Sequence, residues 1–197
     1  AGKVSVVALD KTGTITAGMP SVTDVCPAPG VTEKELLHLA CSLEKQSEHP
    51  LAKAVLSHGE ALGIGVAAVS DFKALPGNGL TGLLEGKRLT AGSMKYMEKA
   101  LSSVAELQKK AEAFAEAGKT PLVFAGDEKI LGVIAVADGM KPDSAKAVKE
   151  LQGMGIHVVM LTGDNERTAK AIGKQAGVDE AIAGGLPDGK ESVIRHL

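Results

Sequence analysis

Apolar positions along this chain follow distinct rhythms. The first run, Val4-Ser5-Val6-Val7-Ala8-Leu9, is short, β-branched and nearly continuous. That is the pattern of a strand buried on both faces of a parallel sheet. It gives way to Asp10-Lys11-Thr12-Gly13-Thr14. A second such run, Ile156–Leu161, gives way to Thr162-Gly163-Asp164-Asn165. Both polar loops then lie at strand carboxyl ends, where open α/β sheets collect their ligands. Lys141-Pro142-Asp143 predicts a helix start, with Ala145, Val148 and Leu151 as its apolar stripe and Gly153 or Gly155 as its stop. Thr168–Ala176 predicts a second helix, ended by Gly177.

The middle of the chain changes rhythm. Thr32-Glu33-Lys34-Glu35 is a capping box opening a helix through about Leu43, and Ser103-Val104-Ala105-Glu106 is another. Behind the second, Val104, Leu107, Ala111 and Phe114 share a face and Gly118 ends the helix. Leu80–Leu84 and Arg88–Ala91 flank a turn at Glu85-Gly86-Lys87. Pro121–Ala125 and Ile130–Ala137 flank one at Gly126-Asp127. Strands joined by tight turns are antiparallel. The prediction is an α/β domain over 1–17 and 138–197, interrupted by an α+β domain over 18–137 built on an antiparallel sheet. The crossings fall near Thr16–Gly18 and Ala137–Gly139.

Composition narrows the chemistry. The 197 residues carry 22 Lys plus Arg against 24 Asp plus Glu, a net charge of −2. That balance argues against a nucleic-acid surface, which needs clustered cations. The uncharged apolar runs, 61–69 and 130–137, fall short of the roughly 20 residues a bilayer span needs. Ala1-Gly2-Lys3 leads straight into a strand-like run, so no signal peptide is expected here. Two cysteines, Cys26 and Cys41, suit neither a disulfide framework nor a zinc site. The expectation is a soluble, monomeric, cytosolic-side chain in a reducing compartment.

Asp10 follows a strand and precedes a Gly-containing turn. A carboxylate there, faced by backbone N–H groups of Thr12–Thr14, can attack a phosphoryl group as a nucleophile. Such transfer relies on Mg²⁺ and cations around the equatorial oxygens. Thr162 and Lys190 supply a hydroxyl and an ammonium if their segments are neighbours.

Asp10-Lys11-Thr12-Gly13-Thr14-Ile15-Thr16 resembles the phosphorylation signature of P-type ATPases. Thr162-Gly163-Asp164-Asn165 and Pro187-Asp188-Gly189-Lys190 resemble that family's next two phosphorylation-domain motifs. Ser47-Glu48-His49-Pro50 resembles the signature of the heavy-metal-transporting subgroup. From the residues alone, Pro50 starts a helix over Leu51–Ser57, with Glu48 and His49 at its entry, where His49 can act as a plain helix cap or can stack on or hydrogen-bond a purine. Gly77-Asn78-Gly79 resembles the subgroup's Gly-x-Gly element, and Gly92-Ser93 stands where it shows Gly-Asn. Asp138-Gly139-Met140-Lys141-Pro142 resembles the hinge motif, in wording closer to the copper(I) branch than to the zinc/cadmium branch. Cys26-Pro27 looks like the transporters' metal motif, but in a Pro-rich loop with no apolar segment around it, it reads as a linker cysteine.

The resemblance implies a haloacid-dehalogenase-like, Rossmannoid phosphorylation domain, incomplete at its C-terminus, with an inserted nucleotide-binding domain. It implies ATP bound through Glu48, His49, Gly77, Gly79 and Gly92, and an aspartyl-phosphate at Asp10 stabilised by Lys190 and Thr162. Mg²⁺ is held by Asp10 and the Thr12 carbonyl, and Asp164 and Asn165 organise the adjoining loop. The implied parent is a membrane-embedded copper(I) export pump whose transmembrane and actuator domains are this region's partners. The family's Gly-Asp-Gly-x-Asn-Asp loop is not among these residues, which implies that this chain binds ATP but phosphorylates poorly. Thr12 occupies the place where related phosphatases carry a second, acid/base Asp, which implies a persistent intermediate. The alternatives are a soluble phosphatase with the same core and an inserted cap, a zinc/cadmium-type pump, and a non-catalytic nucleotide-binding module.

Overall fold

In the computed structural model, which describes residues 5–75, 79–127, 129–163 and 166–183, the chain runs through fifteen regular elements. They begin β1 (Ser5–Asp10), β2 (Thr16–Pro27), α1 (Glu33–Glu44), α2 (Pro50–Ala61), β3 (Ser70–Leu75), β4 (Gly79–Leu84) and β5 (Lys87–Gly92). They continue α3 (Glu98–Ser102), α4 (Ala105–Glu116), β6 (Thr120–Gly126), β7 (Lys129–Met140), α5 (Ser144–Gly153), β8 (Ile156–Leu161), α6 (Glu166–Ala176) and β9 (Glu180–Ile182). Two compact units result. One comprises the chain up to Met19, Ala115–Lys119 and the chain from Asp138 onward; the other comprises Pro20–Phe114 and Thr120–Ala137.

The first unit carries a parallel sheet of order β1-β8-β9. β1 and β8 run in register from Ser5↔Ile156 to Asp10↔Leu161. β8 is central, and Val158, Val159, Met160 and Leu161 are buried. β1 is only half-buried, not covered on both faces as its continuous pattern suggests, because among the described residues it is paired along one edge alone. Val158, Met160, Val148, Ile172, Ala176 and Ile15 form this unit's core. α5 starts at Ser144, after Pro142 rather than around it. Its buried stripe is Ser144, Val148 and the half-buried Leu151, while Ala145 is exposed. That one-residue rotation follows from the Ser144 hydroxyl, which donates to the Ile15 carbonyl at 2.6 Å and turns that side of the helix inward. α6 ends at Gly177, where the N–H groups of Gly177 and Val178 both donate to the Gly173 carbonyl.

The second unit is a sheet of order β2-β7-β6-β5-β4-β3 with helices on both faces. β3 to β7 pair antiparallel in succession. Leu36, Leu37, Cys41 and Leu43 of α1 and Val55 of α2 pack with Leu89, Phe124, Ile134 and Val136. Met97, Leu101, and Leu107 and Ala111 of α4 pack with Val123, Ala125 and Val133. Phe124 therefore faces one helical layer, and its neighbours Val123 and Ala125 face the other. The period of two along a strand makes this alternation, and burial of both faces makes β7 apolar nearly throughout.

α1 begins as its capping box predicts, with the Glu35 N–H donating to Thr32 Oγ1 at 3.0 Å. The second box does not form. Ser103 Oγ donates backward to the Ala100 carbonyl, which also accepts the Ser103 N–H, because the short helix α3 ends there. Cys26 and Pro27 are not in a loop; they close the twelve-residue strand β2, and Cys26 packs half-buried against the α4 layer. Thr16–Gly18 likewise belongs to that strand. No described helix is long and apolar enough to cross a membrane.

Candidate functional site

Asp10 ends β1, and the chain then closes in one wide turn over Lys11–Ile15. Thr12 is extended (φ −71°, ψ 123°) and Gly13 takes φ +81°, which an L side chain rarely adopts. The Thr16 N–H donates to the Lys11 carbonyl and closes the turn. Its exit is held from α5, since Lys141 N–H and Ser144 Oγ both donate to the Ile15 carbonyl. Thr16 Oγ1 lies 2.5 Å from Asp138 Oδ2, and the Asp138 carboxylate also accepts the N–H groups of Gly18 and Met19 at 3.1 Å each. The exit of the turn that follows Asp10 is thus fixed by bonds reaching more than a hundred residues away.

The parallel register brings predicted site residues to one sheet edge. Asp10 pairs with Leu161, so Thr162 is the next residue past that level on the neighbouring strand. Thr162 is 4% exposed, and its N–H continues the β9 pairing by donating to the Ile182 carbonyl. Asp10 and Thr12 are exposed. A carboxylate and a backbone carbonyl are hard oxygen donors of the kind Mg²⁺ takes, usually one or two from the protein with waters and substrate phosphates completing the shell. The residues fit that partial role. Asp164, Asn165 and Lys190 lie outside the described residues.

In the other unit, Ser47–Pro50 joins α1 to α2. His49 caps α2: its Nδ1 accepts the Leu51 N–H at 3.2 Å, and Pro50 takes the first helical position. Ser47 Oγ accepts the His49 N–H at 3.3 Å. Glu48 and His49 are exposed. Gly79 and Gly92 stand directly opposite each other in the β4–β5 ladder. Gly79 has φ +150°, and a Cβ there would sit 2.0 Å from the Ala91 carbonyl oxygen, so this position accepts no side chain. Gly77 lies outside the described residues.

One carboxyl went unnoticed in the sequence. Glu44, in the last turn of α1, is 5% exposed, and burial pushes its carboxyl up to about 7. Its signal in the sequence was a charged residue on the apolar side of α1, three positions after Cys41. That thiol donates to the Val55 carbonyl at 3.5 Å, and burial, with the Glu44 charge adding to it, pushes it up to about 11.

An exposed carboxylate at the carboxyl end of a parallel strand, followed by a tied-down turn and a neighbouring buried threonine, places the candidate site where open α/β sheets collect their ligands. The chain belongs to the haloacid dehalogenase-like hydrolases, whose family model matches residues 4–197. Across nearly its whole length it is also similar to metal-transporting ATPases. It is 40% identical to Copper-transporting ATPase 1 of Rhizobium meliloti over 195 residues, 99% of this chain and 24% of that protein. It is 42% identical to the Probable copper-importing P-type ATPase A of Enterococcus hirae over 199 residues, 100% of this chain and 27% of that protein. Among solved structures, a zinc-transporting PIB-type ATPase in the E2.Pi state superposes with a TM-score of 0.66 at 34% identity, covering 95% of this chain and 30% of that one. The chain spans about a quarter of the length of the curated relatives it matches.

Proposed function

We propose that this chain is the nucleotide-binding and phosphorylation unit of a copper-transporting P-type ATPase. ATP binds to the unit built on β2–β7, at the Ser47–Pro50 turn and the glycine pair of β4 and β5. An Asp10 carboxylate oxygen attacks the γ-phosphorus; the P–O bond to ADP breaks and an aspartyl-phosphate forms. The observation that carries the reading is the register Asp10↔Leu161, with Thr162 next along the edge. It supports a phosphoryl group at Asp10 lying within reach of the Thr162 hydroxyl.

Mg²⁺ would be held by Asp10 and the Thr12 carbonyl and would supply charge neutralisation of the phosphate oxygens. Lys190 adds a cation to the same oxygens, and Asp164 and Asn165 shape the loop after Thr162. The bonds from Thr16, Lys141 and Ser144 keep the turn from yielding as charge develops, so the backbone N–H groups of Thr12–Thr14 stay oriented. Thr12 offers no carboxyl to activate water, which favours a lasting phosphoenzyme. The nucleotide site is made by Glu48, His49, Gly77, Gly79 and Gly92. The parent's membrane and actuator domains are the partners, and copper, bound in them, is the cargo.

Calorimetric titration with ATP tests the nucleotide half: saturable binding weakened at least several-fold by His49→Gln is expected, and unchanged binding moves the pocket elsewhere. Acid-stable label from γ-labelled ATP tests the other half. It should be weak and abolished by Asp10→Asn, which leaves ATP affinity intact. Rapid turnover of p-nitrophenyl phosphate would favour the phosphatase alternative instead.

A further inference from the structure

The bonding of His49 fixes more than its place. In its neutral form an imidazole carries one proton, on Nδ1 or on Nε2. Here Nδ1 accepts the Leu51 N–H, so its lone pair is committed to the first turn of α2. The proton must then reside on Nε2, the ring atom farther from the backbone, on a side chain that is exposed. The backbone of His49 is held in turn: its N–H donates to Ser47 Oγ, and the Ser47 N–H donates to the Glu44 carbonyl. The ring is thereby positioned through a chain of three contacts running from the end of α1 to the start of α2.

We infer that Ser47 and the α2 cap lock His49 as an Nε2–H donor, so that this histidine meets its ligand as a hydrogen-bond donor and not as an acceptor. The inference rests on the nucleotide site proposed above. It sets the chemistry of the group His49 contacts: an acceptor, such as a purine ring nitrogen or a ribose or phosphate oxygen. Ser47 is a positioning residue for that contact. It acts through the His49 backbone, and its hydroxyl is occupied as an acceptor within the turn.

Long-range ¹H–¹⁵N spectra of the ¹⁵N-labelled full chain, recorded above neutrality, read the tautomer without any ligand. The expected result is an unprotonated Nδ1 and a protonated Nε2 at His49. Adding ATP should shift Nε2 and its proton while leaving Nδ1 unprotonated. Ser47→Ala should mix the two tautomers and weaken ATP binding about fivefold, in proportion to one lost hydrogen bond. Ser47→Thr, which keeps the acceptor, should restore both. A dominant Nδ1–H form overturns the inference, as does a Ser47→Ala chain whose imidazole spectrum and ATP affinity both match the parent's. If ATP does not bind at all, the nucleotide reading fails, and the spectra still decide the tautomer.

Discussion

Thr16 and Asp138 stand 122 positions apart in the sequence and 2.5 Å apart at their side-chain oxygens. Thr16 is wholly buried, and its hydroxyl also lies 3.1 Å from the Lys11 carbonyl. One hydroxyl proton cannot serve two acceptors fully, and the carboxylate is the stronger of them. The Lys11 carbonyl has the Thr16 N–H instead. The pair therefore ties the end of the turn after Asp10 to the residue at which the chain re-enters the first unit.

Removing that carboxylate should be costly. Asp138→Ala strips the acceptor from Thr16, Gly18 and Met19 together. Since bonds to charged groups contribute about 1.5–3 kcal/mol each and two of these N–H groups regain water, a net loss of about 2–3 kcal/mol is expected. Asp138→Asn keeps one acceptor oxygen and should lose less. Urea unfolding measures both, and equal midpoints for all three chains would remove Asp138 from any stabilising role.

Glu44 should make stability fall as pH rises. Its carboxyl titrates near 4.5 when unfolded and about 7 when folded, so the folded chain holds the extra proton between those values. Stability from this group is full below the lower value and is lost by the upper one. At about 1.4 kcal/mol per pH unit the span is of order 3 kcal/mol. Glu44→Gln should flatten the slope between about pH 5 and about pH 8 and raise stability at the alkaline end. A wild-type stability that holds level across that window would contradict it.

Two glycines of positive φ should respond differently to alanine. Gly86, in the β4–β5 turn, has φ +80° and no atom within 4 Å of an added Cβ, so Gly86→Ala should cost about 1 kcal/mol from backbone strain alone. Gly79→Ala drives a methyl into the Ala91 carbonyl oxygen and should cost more than twice that, while also weakening ATP binding. Similar losses in thermal unfolding for the two variants would show that the β4–β5 ladder yields at Gly79.

The two thiols should separate by reactivity. Cys41 is buried and pushed up to about 11, whereas Cys26 is half-buried and raised less strongly. Because the thiolate is the reactive form, a thiol reagent near neutrality should label Cys26 in the native chain and reach Cys41 only on unfolding. Two equally fast native thiols would mean that α1 and α2 open freely around Cys41.

Local chemistry was readable from the residues. Thr32 caps α1, the turns at Glu85-Gly86 and Gly126-Asp127 reverse their strands, and Gly177 stops α6, because each depends on neighbours in sequence. Errors arose where a distant partner decided the outcome. Ser144 faces inward and Ala145 outward because of the Ile15 carbonyl, 129 positions away. β3 escaped notice because its exposed positions carry no alternation, and its pairing shifts register between Ser70 and Lys73. In the candidate site, Asp10 and Thr162 stood out through their strand-end motifs. Elsewhere in the fold, Glu44 did not, since only the packing of α1 shows that its carboxyl is enclosed.

The neighbouring placement of β2 and β7 bears on how this chain can assemble. β1 must find β8 across about 150 intervening residues, a contact of high sequence separation that by itself is slow to form. Yet β2 and β7 lie side by side in the six-stranded sheet, so once that sheet exists, the two ends of the insertion emerge together. The long intervening segment then behaves as a short closed loop, and most of the closure entropy for β1–β8 has already been spent. The expected order is β3–β7 first and the β1–β8–β9 sheet last, which pulsed hydrogen exchange during refolding should record as late protection of Val158 and Val159. Early protection there, ahead of Val133 and Ile134, would reverse the sequence of events.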